Sequence, residues 1–266
     1  SQMDYAQFSF QAMVVAAVVY MFAGAAHALE WASAKNATIA APTRRRRVKV
    51  LVGAGTTPYD VPDELQEDSG DDAPPASAET PQDRRRVDQF GRIGVAFTII
   101  AVLLHVVAVV TRGIAAGRAP WANMHEFTAV SLMIAVAVYL VLAMKLSMRW
   151  LGLFMTFFAS IGLGLAVTVF YVDVSPLVPS LHSTWFMFHI SAASAAGAAF
   201  TLCGLASVLY LLRARAEQRG TLHGYLAKLP SSEKLDTFAY RCAAFGFPLF
   251  TFVIAAGAVS YTHLTL

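Results

Sequence analysis

The stretch Gly91–Thr111, GRIGVAFTIIAVLLHVVAVVT, decides how the chain is read. It stays apolar for about six helical turns, long enough to cross a bilayer. Five more runs have the same character: Phe8–Leu29, His125–Met144, Trp150–Val172, Trp185–Leu212 and Ala243–Tyr261. None alternates with period two, which argues against a β-barrel. In lipid each backbone group must find its partner within its own segment, so the runs read as helices. The composition agrees. Of 266 residues 57% are hydrophobic and 14% charged, whereas soluble domains carry about 25% charge. The expected fold class is all-α: a polytopic membrane helix bundle with about six transmembrane helices. The net charge of +3 is small and points to no nucleic-acid partner.

Residues 34–90 are of another kind. They hold RRRR (Arg44–Arg47), then DVPDELQEDSGDDAPPASAETPQD (Asp60–Asp83), then RRR (Arg84–Arg86). Such a composition cannot bury enough apolar surface to fold, so a disordered loop is expected. The layout that follows is a first transmembrane helix over 1–33, a charged loop over 34–90, a five-helix membrane core over 91–260 and a tail over 261–266. Eighteen of the twenty Lys and Arg residues fall on alternate loops, leaving only Arg112 and Arg118 on the other side. The positive-inside rule then makes the 34–90 loop cytoplasmic and puts the N-terminus outside. The N-terminus lacks the basic region of a signal peptide, so the first run reads as a retained span. The arginine clusters are orientation signals on a solvated linker, or an anchor to anionic lipid in the bilayer.

Between the second and third runs lies PWANMHEF (Pro120–Phe127). Asn123 is placed to cap the third helix. Glu126 suits the positive end of its dipole. Histidine is the residue type here best able to ligate metal or haem iron. His223 reads as solvated. His27 stands three residues before Glu30, on one helical face, and a local hydrogen bond is the simplest reading. His105, His125, His182 and His189 all fall toward the outer side, although each taken alone reads most simply as a satisfied structural histidine. Trp31, Trp121, Trp150 and Trp185 stand at span boundaries, where aromatic belts are common. Cys203 and Cys242 form no C-x-x-C pair and no metal spacing, and read as inert small core residues. Small residues at Ser160, Gly162 and Gly164, and at Ser191, Ala195, Gly197 and Ala199, suit close helix packing.

Three stretches in order carry a resemblance: PWANMHEF, GLAVTVFYVDVSPLVPSLHSTWFMFHIS (Gly164–Ser191) and AYRCAAFGFPLFTFVIAAGAV (Ala239–Val259). They resemble the CcsA/ResC family of cytochrome c biogenesis proteins, of the actinobacterial CcsB type. The W-x-N-x-x-E-F and LVP-x-L-x-S-x-W-x-x-x-H patterns are its markers. The resemblance implies cytochrome c assembly of the System II type. In it, haem is delivered to the outer face of a bacterial plasma membrane and attached to C-x-x-C-H motifs of apocytochrome c. Implied partners are a ResB-type membrane protein, apocytochrome c and thiol-reducing proteins, with b-type haem as cargo. His189 matches the first of two external histidines that hold the haem iron. Trp121, Asn123, Glu126, His182 and Trp185 would shape the external haem chamber. His125 stands where many relatives carry Tyr and is not promoted to a ligand.

After Val259 the resemblance ends. The family continues into a tryptophan-rich W-G-x-x-W-x-W-D segment, further spans and further histidines, whereas this sequence reads SYTHLTL. The expectation is a sequence cut short, with a tail that is not native and no synthase activity alone. Without the resemblance, a non-catalytic scaffold subunit or a transporter in a membrane complex would fit the same residues.

Overall fold

A computed structural model describes residues 2–34, 81–175 and 184–264. The described chain is helical: α1 (Gln2–Ser33), α2 (Pro81–Ala116), α3 (Met124–Lys145), a 3-10 turn (Arg149–Leu151), α4 (Gly152–Thr168), α5 (Thr184–Gln218), the short α6 (Tyr225–Lys228) and α7 (Ser232–Leu264). Six of these segments are long and apolar enough to cross a membrane, so the protein is a multi-pass membrane protein. The 35–80 part of the charged loop, His182 and the last two residues lie outside the described residues.

One expectation needs correction. The charged linker was read as disordered to residue 90, yet α2 begins at Pro81. Proline suits the first helical position, and Asp83 in the first turn meets the positive end of the dipole. Val87 and Gly91 are buried, so this extension rests on the bundle instead of hanging free.

The helices pack in two groups. α1 lies against α2 and α4, and α3 joins α4, α2 and α5. α7 packs against α5. Alanines line the seams, with Ala16, Ala23, Ala101, Ala108 and Ala159 wholly buried. Small side chains let helices approach where lipid offers no hydrophobic drive. Ser160 Oγ donates to the Ala17 carbonyl at 3.0 Å. A Cβ at Gly162 would strike Leu132 of α3, so this glycine makes room for its neighbour, whereas Gly164 and Gly197 face open space. α7 is the most peripheral span: 11% of its most apolar window is buried, against 33–44% for the others. Pro248 inside it removes one backbone hydrogen bond.

The aromatic-belt reading of the tryptophans also changes. Trp150 is buried and meets Phe238 edge-on, and Trp31 stacks on Tyr225 at 4.6 Å. Trp121 is half-buried against the core. Trp185, 44% exposed, is the one that presents a large open surface.

Candidate functional site

The end of the bundle where α2 turns into α3 is built around one carboxylate. α2 stops at Gly117, whose φ of 63° is the left-handed conformation a glycine takes readily. The amides of Gly117 and Arg118 bond back to the carbonyls of Ile114 and Gly113. This closing turn sends Arg118 back toward α3. Asn123, in extended conformation, accepts the Glu126 amide at 2.9 Å on its side-chain oxygen, capping α3 as its position predicted.

Glu126 then takes more than the dipole. Its Oε2 accepts from Arg118 Nη1 at 2.7 Å and from the Ala122 amide at 2.9 Å. Its Oε1 accepts from Arg112 Nε at 3.1 Å and Arg118 Nη2 at 3.3 Å. The Glu126 and Arg112 side chains are 0% and 2% exposed. Both arginines also donate to the segment after α4, Arg112 to the Val172 carbonyl and Arg118 to that of Ser175. One carboxylate thereby ties together α2, the α2–α3 turn, α3 and the outer end of α4. Charge-assisted bonds in so dry a place are strong and directional. Tyr171 completes the cluster, with the Arg112 guanidinium 5.9 Å from its ring centre and Phe10 and His125 edge-on to it. His125 donates from Nδ1 to the Ala166 carbonyl at 2.8 Å and is a satisfied structural residue. Beside the cluster opens a recess of about 620 Å³, bounded by Gln7, Phe10, Tyr171 and Asp173 among others.

His189 and Trp185 stand one turn apart on α5, and both face α7. Trp185 reaches the Ala256 carbonyl at 3.5 Å and meets Phe252 edge-on. The His189 ring lies over Gly257, where a Cβ would come within 3.2 Å of its Cε1. Its Nδ1 is buried with no hydrogen-bond partner. His189 is thus a half-buried imidazole seated on a glycine, and its unpartnered nitrogen is one of three such among the described histidines, with His27 Nε2 and His105 Nε2. Phe188, 63% exposed, adds apolar surface beside it. So the site residues expected from sequence divide: Asn123 and Glu126 work with α2, while Trp185 and His189 work with α7. His105 is wholly buried deep in α2, where its Nδ1 meets the Tyr20 hydroxyl at 3.3 Å.

A second polar cluster closes the opposite end. His27 Nδ1 donates to Glu30 Oε2 at 2.9 Å, as the three-residue spacing suggested. Glu30 Oε1 also accepts from the Tyr225 hydroxyl at 3.2 Å and pairs with Arg149 Nε at 3.3 Å. Arg149 reaches on to Asp88 at 3.0 Å. The His27 ring is pressed between Gly94 and Gly152, and the Tyr139 hydroxyl meets the same Gly152. Sequence reasoning missed Arg112, Arg118, Arg149 and Tyr225 as partners. One signal existed for the first two: they are the lone arginines on a face otherwise stripped of basic residues, and such charges need a carboxylate.

A family model described as cytochrome C assembly protein matches residues 121–261, more than half of the chain. The chain belongs to the cytochrome c assembly protein family. It is 30% identical over 192 residues to the cytochrome c biogenesis protein CcsA of Guillardia theta, covering 63% of this chain and 62% of the relative. It is 27% identical over 205 residues to the protein of that name in Trieres chinensis, covering 66% and 65%. For Porphyra purpurea the figures are 26% over 216 residues, with 65% and 66% covered. The chain spans less than two thirds of the length of these relatives. No solved structure matches it. The cytochrome c assembly match takes in Glu126 and His189 but not Arg112 or Arg118, so the Glu126 carboxylate is bound from beyond the matched region.

Proposed function

We propose that this chain works in cytochrome c assembly, presenting haem at the outer membrane face for covalent attachment to the C-x-x-C-H motifs of apocytochrome c. Family membership supports the process. One observation carries the site: His189 keeps a buried, unpartnered nitrogen over the bare backbone of Gly257. An imidazole there serves as an axial ligand that holds the haem iron and tunes its redox state. Trp185 and Phe188 offer aromatic surface to cover the porphyrin. Haem in this reading is a b-type cargo, held and passed on. Trp121, Asn123 and Glu126 act indirectly by fixing the outer rim, and His182, which lies outside the described residues, joins them in this reading of the haem chamber.

The partners in this proposal are a ResB-type membrane protein, apocytochrome c and thiol-reducing proteins. We place the protein in a bacterial plasma membrane, N-terminus outside, with the 34–90 loop cytoplasmic. In support, the Glu126 cluster stands at the end with few basic residues, and the Glu30 cluster stands at the basic end.

The test is haem absorbance of the full-length protein purified from membranes. His189→Ala should lose most of its Soret band, and added imidazole should restore part of it. A band unchanged in His189→Ala would remove the ligand from this residue.

A further inference from the structure

The sequence separates the two cysteines by 38 residues and shows no motif that joins them. The fold does join them. α5 and α7 run antiparallel and pack tightly at Gly246, where a Cβ would lie 3.2 Å from that of Ala199. In an antiparallel pair, four residues forward on one helix face four residues back on the other. Four on from Ala199 is Cys203, and four back from Gly246 is Cys242. Both are therefore one turn from this close contact, on the same side of it. Both thiols are free and half-buried. Arg241, exposed beside Cys242, is the last charged side chain before the apolar run of α7, at the basic end of the bundle. The seam is also where α7 is attached to the rest of the protein.

We propose that Cys203 and Cys242 form a dithiol site that exchanges with external disulfides at the basic face of the membrane and, when oxidised, staples α7 to α5. The step balances as ordinary exchange. The Cys242 thiolate attacks one sulfur of an external disulfide, whose S–S bond breaks. One thiol leaves with the proton that Cys242 gave up, and a mixed disulfide remains. The Cys203 thiolate then attacks the Cys242 sulfur, forming the Cys203–Cys242 bond and releasing the second thiol with the second proton. Two electrons pass from the protein to the external disulfide. In a reducing compartment the pair rests as the dithiol. Closing the bond needs Cβ atoms about 4 Å apart, a separation that a seam this tight one turn away brings within reach. The closed form fixes the register that seats His189 over Gly257, about four turns farther along the same pair.

The unaltered chain provides the test, since these are its two cysteines. Protein in native membranes or nanodiscs is treated with 4,4′-dithiodipyridine, an aromatic disulfide that releases coloured thiopyridone, and intact mass is then measured. The expected result is release of two thiopyridones per chain with no adduct on the protein and the loss of two hydrogens. Cys203→Ser and Cys242→Ser should each release one and retain one adduct. Two adducts on the unaltered chain would show thiols that react independently and would overturn the proposal. So would no release at all, because an exchange site must be reachable.

Discussion

Glu126→Gln is the most demanding perturbation of the outer end. The change keeps the shape of the side chain and removes its charge. The carboxylate accepts four hydrogen bonds, three of them from Arg112 and Arg118. An amide keeps one oxygen and turns an NH2 group toward guanidinium donors, so at least one contact becomes donor against donor. Two arginines, at most 9% exposed, then lose their shared counter-charge. Breaking a buried pair by removing one partner costs about 3–5 kcal/mol, because the remaining charge stays buried and unpaired. A loss of this size corresponds to a fall of about 10 °C in the unfolding midpoint of a chain of this length. Thermal unfolding of the purified protein in nanodiscs would read it. A cycle with Arg118→Met adds a second test. Removing one stranded arginine should recover part of the loss, so the double variant should fall short of the sum of the singles by about 1–3 kcal/mol. A Glu126→Gln loss under about 1 kcal/mol, or strict additivity, would refute the view that this carboxylate holds the outer rim together.

Three further outcomes follow from the same structure. Gly152→Ala places a Cβ against the His27 ring and the Tyr139 hydroxyl and should cost about 1–3 kcal/mol by overpacking; Gly197→Ala, where nothing lies within 4 Å, should gain up to about 1 kcal/mol from helix propensity, both read by unfolding midpoint. Gly257→Val should lower bound haem as His189→Ala does while leaving the imidazole in place, because the new side chain displaces the ring; unaltered absorbance would break the link between cradle and ligand. Burial first, and then the Glu30 carboxylate, hold the Tyr225 phenol well above its usual range. With the folded pKa above the unfolded value of about 10, its stabilising share is complete below pH 10 and is lost as pH climbs toward the folded value. The midpoint of the unaltered protein should therefore fall more steeply above about pH 10 than that of Tyr225→Phe.

What could be read in the sequence was local. Six apolar runs announce six spans because the bilayer fixes their length. The Asn123 cap was legible because donor and acceptor are three residues apart, and so was His27–Glu30. Their remaining partners were not. Tyr225 reaches Glu30 across 195 positions, and Arg112 reaches Glu126 from another helix. The start of α2 escaped for a related reason. Composition alone reads PQDRRR as linker, and what makes it helix is the burial of Val87 and Gly91 against neighbours that the composition does not reveal. The cysteine pair was equally hidden, since its register exists only once α5 and α7 are set side by side.

The two clusters divide the molecule mechanically. Glu30 at one end and Glu126 at the other each draw several elements onto one buried carboxylate, and both act on α1–α4 and their connections, with Tyr225 of α6 added at the Glu30 end. Among the described residues the α5–α7 pair has no ion pair near His189, only the long contact from Trp185 to the Ala256 carbonyl. Its stronger polar ties lie at the far end, beyond the cysteines, where Ser232 of α7 donates to Glu217 of α5 and Arg213 donates to the Leu226 and Leu229 carbonyls of the connection. α7 is also the least buried span and carries an internal proline. The proposed haem site would gain from this arrangement, because in that role it must accept a large planar cargo and release it. Charged clasps fix the frame, while the pair bearing Trp185 and His189 is held by small residues and aromatic contacts that cost little to shift.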